Sequence, residues 1–267
     1  HPMEQTMIYA SAQDWENDPH KKVLLFGMSG LGKTHVSNML RASGNWFHYS
    51  VDFRIGSHYL REHISGDISF DNLEPLASYL GKPGDPTKGG IEFKEYMRRQ
   101  LQHEQAEINT LLDSTRFIAT ARDTHDHFIC DSGGSICEVV DPHDENNQVL
   151  KTLSENLLMV WIKGSDEHSV ELVKRFDAAP KPMYYHPNFL RQKWDEYLSN
   201  NNTIATKVDP DKFVRWAYAQ ALAQRQPRYA AMANNWGVTV TAHDVAAATT
   251  LAAFNAMIAE ALEKHHA

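Results

Sequence analysis

The amino-acid sequence predicts an α/β fold that is built around a mostly parallel five-stranded sheet. Short apolar runs, most of them followed by a glycine or an aspartate, alternate with longer segments in which apolar residues recur at helical spacing. This alternation is typical of strands that are buried on both faces and joined by helices. The chain has 267 residues, of which 42% are hydrophobic and 22% are charged, so it is long enough to bury such a sheet.

The individual elements are predicted from these two patterns. Strands are expected at residues 23–26, 46–51, 128–130, 157–162 and, with the weakest pattern, 203–208. Helices are expected at residues 34–42, 57–64, 91–115, 165–176, 188–199 and 211–223, and throughout residues 226–264. Residues 3–20 and the glycine- and proline-rich stretch 81–90 are expected to be irregular.

A glycine-rich turn follows the first predicted strand. Its sequence, GMSGLGKT at residues 27–34, fits the pattern G-x-x-x-x-G-K-[S/T] and lies between a buried strand and a helix. The amide groups of such a loop bind phosphate oxygens, Lys33 reaches the outer phosphates, and the Thr34 hydroxyl is a ligand for Mg²⁺. The sequence therefore predicts ATP and Mg²⁺ as cofactors. The residues expected to hold the nucleotide are Gly27, Ser29, Gly30, Leu31, Gly32, Lys33, Thr34 and His35.

A second glycine turn follows the third predicted strand. Asp131 ends that strand and is the expected second ligand of Mg²⁺, directly or through water, with an ordinary loop aspartate as the alternative. Gly133 and Gly134 come next, and two glycines allow a substrate to approach the backbone closely. Ser132 stands where many ATP-hydrolysing motors carry a water-activating glutamate, which argues against a motor, although Glu138 lies nearby.

The second predicted strand also ends at an acidic residue. Asp52 follows it, and in a parallel sheet the carboxyl ends of the strands gather at the edge that carries the phosphate loop. Asp52 is therefore a candidate general base, or a group that orients the hydroxyl of a phosphoryl acceptor. Arg54 is a candidate clamp for an anionic part of that acceptor. The structural alternatives are a helix cap at Asp52 and a solvated Arg54.

Together these motifs resemble those of the small P-loop kinases, in particular the shikimate and gluconate kinases, which are related to the nucleoside monophosphate kinases. The resemblance covers residues 22–223 and rests on the loop GMSGLGKT with its Ser29, on the aspartate of YSVDFRIG and on the turn CDSGGS. It implies a P-loop NTPase fold, a three-layer α/β/α sandwich, and transfer of the γ-phosphoryl group of ATP to a small molecule. Shikimate kinases carry three glycines where this chain has DSGGS, so the acceptor is left open.

The resemblance extends to a lid at about residues 174–199. The proline- and tyrosine-rich stretch 177–187 is expected to be a mobile flap, and the segment around it looks like the arginine-bearing lid of gluconate kinases. Lid arginines of that family contact the transferring phosphate, which implies a catalytic role for Arg175 and a substrate-binding role for Arg191. Closure of such a lid excludes water from the reaction.

The chain is expected to consist of two parts. Residues 3–223 are predicted to form the kinase-like nucleotide-binding domain, which includes the lid, and residues 224–267 a C-terminal helical extension that the resemblance does not explain. The polar side chains of the long helix are expected to face solvent, with contact to an anionic substrate as the alternative. They are Lys94, Arg98, Arg99, Gln100 and His103.

Three functions are weighed on this basis. The leading prediction is an ATP- and Mg²⁺-dependent phosphotransferase in which Lys33, Asp52 and Arg175 take part in catalysis. The alternative is a nucleotide-dependent ATPase or switch that acts with a protein or nucleic-acid partner through the C-terminal helices. The third is a regulatory sensor that binds nucleotide without turnover. The preference between ATP and GTP is left open, although the sequence has no N-K-x-D motif for guanine.

Charge and apolar patterning argue against several classes of protein. With 26 basic and 34 acidic residues the formal net charge is −8, which argues against a dedicated nucleic-acid binder. The sequence contains no run of about 18 apolar residues and no recognisable secretion signal, so we expect a cytoplasmic protein without a membrane partner. Cys130 and Cys137 are expected to be thiols, and zinc is not expected. The oligomeric state is left open.

Overall fold

The structure is a computed structural model that describes residues 7–267, so residues 3–6 of the predicted first domain lie outside the described chain. The contacts divide the chain into two compact units. Unit 1 contains the described residues up to Val51 together with Asn109–His168 and Gln226–Ala267, and unit 2 contains Asp52–Ile108 and Ser169–Arg225.

Unit 1 contains a five-stranded sheet, and all pairings between its strands are parallel. The strand order is β2-β3-β1-β4-β5. This confirms the predicted α/β class and the number of strands. The strands are β1 (Lys22–Phe26), β2 (Trp46–Ser50), β3 (His127–Asp131), β4 (Leu158–Lys163) and β5 (Gly237–Thr241).

Helices connect the parallel strands and make up most of unit 2. The irregular segments include a π-helical turn at Ile55–Tyr59 and short 3₁₀ turns at Pro86–Lys88, Ile136–Glu138 and Ala205–Lys207. The helices of the described residues are α1 (Ala12–Asn17), α2 (Lys33–Ala42), α3 (Val51–Arg54), α4 (Glu74–Leu80), α5 (Phe93–Ala121), α6 (Gln148–Asn156), α7 (Asp166–Ala178), α8 (Pro187–Asn200), α9 (Pro210–Trp236), α10 (Ala242–Ala247) and α11 (Leu251–His266).

The central strand β1 organises the core of unit 1. It pairs with β3 on one side and β4 on the other, and the four side chains from Val23 to Phe26 are almost completely buried. A strand covered on both faces needs a continuous apolar run, which explains why its sequence does not alternate. The chain leaves β1 towards β2 and β3, and it reaches β4 and β5 on the opposite side. The carboxyl end of β1 therefore lies where an open α/β sheet binds ligands.

The prediction for the last strand was wrong. Residues 203–208 form a loop with a 3₁₀ turn, and the fifth strand is β5, which pairs with β4 in register from Gly237 opposite Met159. Val238 and Val240 are buried while the two threonines of β5 are exposed. This edge strand thus has a short alternating pattern, which is easily overlooked between two long helical segments. A Cβ atom at Gly237 would lie 2.2 Å from the Met159 carbonyl oxygen, so the strand begins at a glycine.

The C-terminal segment is part of the sheet domain and is not entirely helical. Residues from 226 onward belong to unit 1 together with β1 to β4. Helix α11 packs on β5 and on α1, and the ring of Phe254 meets Trp46 of β2 edge to face with 5.8 Å between centroids. Unit 2 ends at Arg225, close to the predicted boundary at residue 223, and the segment after it belongs to unit 1, to which it supplies both a strand and a covering helix.

The segment predicted to be irregular at residues 3–20 contains helix α1. The Ser11 side chain caps its first turn by accepting a hydrogen bond from the amide of Asp14. Trp15 is fully buried and donates its indole N–H to the carbonyl of Asn255 in α11 at 3.1 Å. The buried Trp15, together with the buried Ala12, thus anchors a helix of only six residues.

Unit 2 consists mainly of helices, and its glycine- and proline-rich loop 81–90 is irregular as predicted. The loop is fixed to the start of α9 by Lys82, whose ammonium lies 2.6 Å from Asp211. The amide of Asp85 donates to the carbonyl of Val208 at 2.8 Å. No helix within residues 7–267 is both long and apolar enough to cross a membrane.

We predict that a chain ending at residue 223 will not fold cooperatively. Phe254, Ile258 and Leu262 of α11 are fully buried, and burial of each stabilises the fold by about 1.5–3 kcal/mol, so their loss approaches the whole free energy of unfolding. A chain ending at Lys264, which loses only exposed residues, is the control. Thermal unfolding followed by circular dichroism checks this. A normal transition in the chain ending at 223 would show that the C-terminal segment is dispensable.

Candidate phosphate and magnesium site

The phosphate loop connects β1 to α2 at the carboxyl edge of the sheet. Gly27, Gly30 and Gly32 all have positive φ, at 136°, 89° and 110°, which other residues rarely adopt. A Cβ atom at Gly27 would lie 2.8 Å from the carbonyl oxygen of Ile162 and 3.2 Å from the side chain of Trp161. The backbone conformation therefore favours glycine at all three positions, and Gly27 is also required by the close packing of the loop on β4.

Lys33 is the first residue of α2, and its side chain folds back over the loop. Its ammonium donates a hydrogen bond to the carbonyl of Gly27, and the side chain is largely buried. Ser29, Gly30 and the first-turn residues Thr34 and His35 are exposed. The positive head group is thus held beside the loop backbone, and the amides at the start of a ten-residue helix favour an anion.

Asp131 is the last residue of β3 and lies next to β1. In the register of the sheet it is opposite Leu25 of β1 and Ser50 of β2. Its carboxylate is partly exposed, and the Oδ2 atom lies 3.5 Å from Nε2 of His48, which is nearly buried. The predicted metal ligand therefore has an imidazole neighbour at the carboxyl edge of the sheet.

Sequence reasoning missed His48. The residue is in β2, and alternate residues of a strand point to the same face. Because Ser50 is opposite Asp131, His48 lies on the face of β2 that corresponds to the face of Asp131 in β3. A polar residue at that position of an apolar strand is the signal that would have found it.

The glycine turn after β3 is packed against β1. The hydroxyl of Ser132 donates to the carbonyl of Leu25 at 2.7 Å, so this residue is committed to the sheet. Gly133 and Gly134 are buried, and the 3₁₀ turn that follows carries the buried Glu138. Cys130 and Cys137 are buried thiols on either side of the turn, and burial raises the pKa of Cys130.

The side chains of this region fit Mg²⁺ and a nucleotide. Thr34 and Asp131 supply hydroxyl and carboxylate oxygens, the donors that Mg²⁺ prefers, and Mg²⁺ with a nucleotide usually needs only one or two protein ligands because phosphates and water complete its shell. Within residues 7–267 there is no cluster of three or more histidine, cysteine, aspartate or glutamate side chains that could hold a metal ion without such help. The hydroxyl and the carboxylate therefore suit a Mg²⁺ ion that is bound together with the phosphates of a nucleotide.

The predicted acceptor residues Asp52 and Arg54 belong to unit 2. Helix α3 begins at Val51, directly after β2, so Asp52 lies in the first turn of a helix rather than in a loop after the strand. A carboxylate is stabilised there by the helix dipole. The guanidinium carbon of Arg54 lies 5.4 Å from the centre of the Tyr59 ring. Both side chains are partly exposed.

Arg175 and Arg191 are exposed residues on α7 and α8 of unit 2. Arg175 lies 3.5 Å from the carboxylate of Glu171, one turn earlier on its own helix. Arg191 donates to the side-chain oxygen of Asn188 at 3.5 Å. Each of these weak interactions joins neighbours on one helix, and their roles in catalysis and substrate binding stay predictions.

The segment expected to be a mobile flap is anchored in the core of unit 2. Residues 179–186 have no regular secondary structure, but Tyr184 and Tyr185 are buried. The Gln100 side chain donates to the carbonyl of Met183 and accepts from the amide of Tyr185, both at 3.0 Å. The flap prediction was therefore wrong for this part of the segment, because two tyrosines are used for packing.

Two residues of α5 that were expected to face solvent are buried. Gln100 is 0% and His103 is 3% exposed. The His103 ring stacks on Tyr184 with 4.5 Å between centroids, and its Nδ1 atom lies 3.7 Å from the carboxylate of Glu107. Burial, and secondarily the charge of Arg225, lowers the pKa of His103 to about 3. The solvated-face prediction holds better for Arg98, which is exposed and pairs with Glu95 at 2.6 Å.

Comparisons with known proteins find similarity to solved structures only. The strand order, with the phosphate loop after β1, defines a P-loop NTPase fold of the α/β class. The solved structures that resemble the chain include two shikimate kinases, members of the group that the sequence resembles. The enzyme from Bacteroides thetaiotaomicron has a TM-score of 0.37 and 15% identity, covering 79% of this chain and 82% of its own. The enzyme from Aquifex aeolicus has a TM-score of 0.33 and 16% identity, covering 76% and 96%.

No known protein family matches the sequence, and no curated protein matches it significantly. The similarity to the two shikimate kinases concerns the fold alone. The residues of the site must therefore be interpreted from their own geometry.

We predict that Gly27→Ala will destabilise the protein more than Gly44→Ala. Both glycines have positive φ, but nothing lies within 4 Å of a Cβ atom at Gly44, so that substitution costs only the backbone strain of about 1–2 kcal/mol. At Gly27 the methyl group must also displace the Ile162 carbonyl, which raises the cost to about 3 kcal/mol or more. Denaturant unfolding measures the difference. Equal costs would contradict the close packing described for the loop.

We predict that His103 makes the protein less stable at acid pH. Because the pKa of His103 is about 3 in the folded chain and about 6.5 in an unfolded one, only the unfolded chain takes up a proton as the pH falls below 6.5. The free energy of unfolding then decreases by up to about 1.4 kcal/mol per pH unit, and above pH 6.5 there is no effect.

Denaturant titrations between pH 7.5 and pH 4.5 test this prediction. The His103→Phe variant keeps an aromatic ring beside Tyr184 and removes the titrating group, so its stability should fall less steeply with acid than that of the unsubstituted chain. His243→Phe, at an exposed histidine, controls for the removal of an imidazole. Identical slopes in the two variants would contradict the assignment.

Proposed function

We propose that the protein is an ATP- and Mg²⁺-dependent phosphotransferase that transfers the γ-phosphoryl group of ATP to a small acceptor in the cytoplasm. One observation carries the proposal. The phosphate loop holds the Lys33 ammonium against the carbonyl of Gly27, and Asp131 ends the strand next to the one that leads into this loop. A cationic phosphate cradle and a metal-binding carboxylate at neighbouring strand ends are what phosphoryl transfer from ATP requires.

The roles of the residues follow from their chemistry. Lys33 and the loop amides from Gly27 to His35 would stabilise negative charge on the phosphates. Thr34 and Asp131 would hold Mg²⁺, which, when bound, neutralises the developing charge between the β- and γ-phosphates. His48 would keep the Asp131 carboxylate oriented, because it approaches the Oδ2 atom.

Asp52 and the arginines of unit 2 are proposed to serve the acceptor. In the reaction the acceptor hydroxyl oxygen bonds to the γ-phosphorus, the bond between that phosphorus and the oxygen of the leaving ADP breaks, and the hydroxyl proton passes to the Asp52 carboxylate. Arg54 and Arg191 would bind anionic groups of the acceptor, and Arg175 would neutralise charge on the transferring group. Gly133 and Gly134 would allow the acceptor to approach the backbone.

The second candidate is a nucleotide-dependent ATPase or switch that acts with a protein or nucleic-acid partner. The observation that favours it is Glu138, a carboxylate in the loop that follows Asp131, since hydrolysis needs a group that activates water. Ser132, the residue directly after Asp131, favours the phosphotransferase over the ATPase. Ser132 cannot act as a base, and its hydroxyl is bonded to the Leu25 carbonyl.

Release of ADP by the purified full chain tests the proposal. The protein is incubated with Mg²⁺ and ATP, first alone and then with a deproteinised small-molecule fraction of cell extract. We expect a low basal rate that rises with the extract. Lys33→Ala should lower the stimulated rate at least about 100-fold while the far-UV circular dichroism of the folded chain stays unchanged. Asp52→Asn should reduce the stimulation. Lys264→Ala, at an exposed lysine of α11, is the control.

Each other outcome identifies a different function. Unchanged turnover in Lys33→Ala would refute the assignment of the phosphate loop. Turnover that appears only when protein or nucleic acid is added would support the ATPase or switch. Tight nucleotide binding without any product would identify a sensor.

A further inference from the structure

The loop after β3 is held in place by side chains from the end of α9. We call residues 132–142 the glycine loop. Five hydrogen bonds from four side chains of α9 reach four of its backbone carbonyls, and all of these residues belong to unit 1. The bonds run from Tyr229 to Gly134, from Arg228 to Cys137 and Val140, and from Asn235 and Trp236 to Pro142.

Arg228 spans the second half of the glycine loop. Its Nε atom donates to the Cys137 carbonyl at 2.8 Å, and its Nη2 atom donates to the Val140 carbonyl at 2.7 Å. Charge-assisted bonds from two nitrogens of one planar guanidinium fix the distance between the two carbonyls as well as their direction. A lysine in this position has its three donors on one nitrogen at the end of a flexible stem and does not fix this geometry.

Tyr229 joins the glycine loop to the start of the phosphate loop. Its ring is fully buried and packs against Phe26, the last residue of β1, with 6.2 Å between centroids. It also stacks on Trp161 at 6.3 Å, and Trp161 is the side chain that a Cβ atom at Gly27 would meet. The same tyrosine donates its hydroxyl proton to the carbonyl of Gly134.

This hydrogen bond orients the peptide group that follows Gly134. In a trans peptide the carbonyl and the N–H point in opposite directions. With the Gly134 carbonyl directed at the buried Tyr229 hydroxyl, the N–H of Ser135 is directed to the opposite side of the turn. Loss of the hydroxyl removes this restraint from a turn that contains two glycines and is therefore easily deformed.

We infer that Tyr229 is a positioning residue for phosphoryl transfer. It fixes the glycine turn, the proposed site of close approach by the acceptor, relative to the loop that holds the phosphates, while Arg228 fixes the rest of the glycine loop. The inference rests on the proposed function. Alignment of acceptor and phosphate within a fraction of an ångström governs such transfers, so a rigid link between the two loops acts on the reaction without touching the substrate.

Tyr9 provides a matched control for Tyr229. It is also a buried tyrosine of unit 1 that donates a hydrogen bond, in this case to the Asp18 carboxylate at 2.6 Å. Its hydroxyl also accepts from the amide of Lys22, at the amino end of β1. Tyr9→Phe and Tyr229→Phe therefore remove the same atom at opposite ends of the same strand.

The test compares Tyr229→Phe, Arg228→Lys and Tyr9→Phe with the unsubstituted chain. ADP binding with Mg²⁺ is measured by calorimetry, and ADP release is titrated with the small-molecule fraction to obtain the amount that gives half-saturation. Loss of one positioning hydrogen bond should raise this amount, or lower the maximal rate, by about three- to tenfold in Tyr229→Phe. Arg228→Lys should act in the same direction, and ADP affinity should stay within about twofold. Amide hydrogen exchange of residues 133–138 should become faster in Tyr229→Phe.

The outcomes separate the inference from the proposed function. If the unsubstituted chain shows no turnover that depends on the small-molecule fraction, the proposed function fails and the inference falls with it. If that turnover is present and Tyr229→Phe behaves like Tyr9→Phe, the proposed function stands and the inference is overturned. An equal loss of ADP affinity and of turnover in Tyr229→Phe also overturns it, because it would show a general disturbance of the phosphate loop.

Discussion

The carboxyl end of β1 is the constraint on which the candidate site depends. Gly27 can adopt its conformation only because it has no side chain to meet the Ile162 carbonyl of β4. On the other side of the strand, the Leu25 carbonyl accepts the hydroxyl of Ser132, directly after Asp131. The phosphate loop and the Asp131 carboxylate, the proposed metal ligand, are thus both fixed by a strand whose last four residues are buried and which cannot shift without disturbing its neighbours.

The C-terminal segment has a direct part in shaping this site. Its strand β5 extends the sheet beyond β4, and the helix that leads into β5 carries the side chains that hold the glycine loop. Backbone carbonyls of a surface loop are ordinarily satisfied by water, which leaves the loop mobile. Here Arg228 and Tyr229 take over that role at three carbonyls, so the loop after β3 is restrained by side chains of α9. Residues 224–267, which the sequence suggests to be a separate extension, therefore help to position a loop of the candidate site.

The sequence predicts those parts of the fold that depend on local pattern. The run Val23–Phe26 and the glycine-rich turn after it predict β1 and the phosphate loop. Burial on both faces requires apolar residues, and positive φ favours glycine, so both features can be recognised from residue type. The predicted strand at 203–208 was wrong, and β5 was missed. An edge strand of five residues contains too few alternations of buried and exposed residues to distinguish it from the helical segments around it. The burial of Gln100 and His103 depends on Tyr184 and Tyr185, about 80 residues away in the chain, and no local pattern reports it. His48 could have been predicted from the sequence, because a polar residue is unusual in an otherwise apolar strand.

Some arginines of the chain are bound to buried backbone carbonyls, whereas others have only weak surface partners, and this difference bears on the proposed acceptor site. Arg225 is buried and donates to the Tyr184 carbonyl at 2.8 Å, and Arg228 is bonded to two carbonyls, so both are committed to the backbone and would be costly to release. Arg175, by contrast, is 64% exposed in its pair with Glu171, and such surface pairs are worth only about 0–1 kcal/mol. An anionic ligand can replace a partner of that kind at little cost. This low cost is compatible with the proposed roles of Arg175 and Arg191, the exposed arginines of α7 and α8, in binding a phosphate or carboxylate.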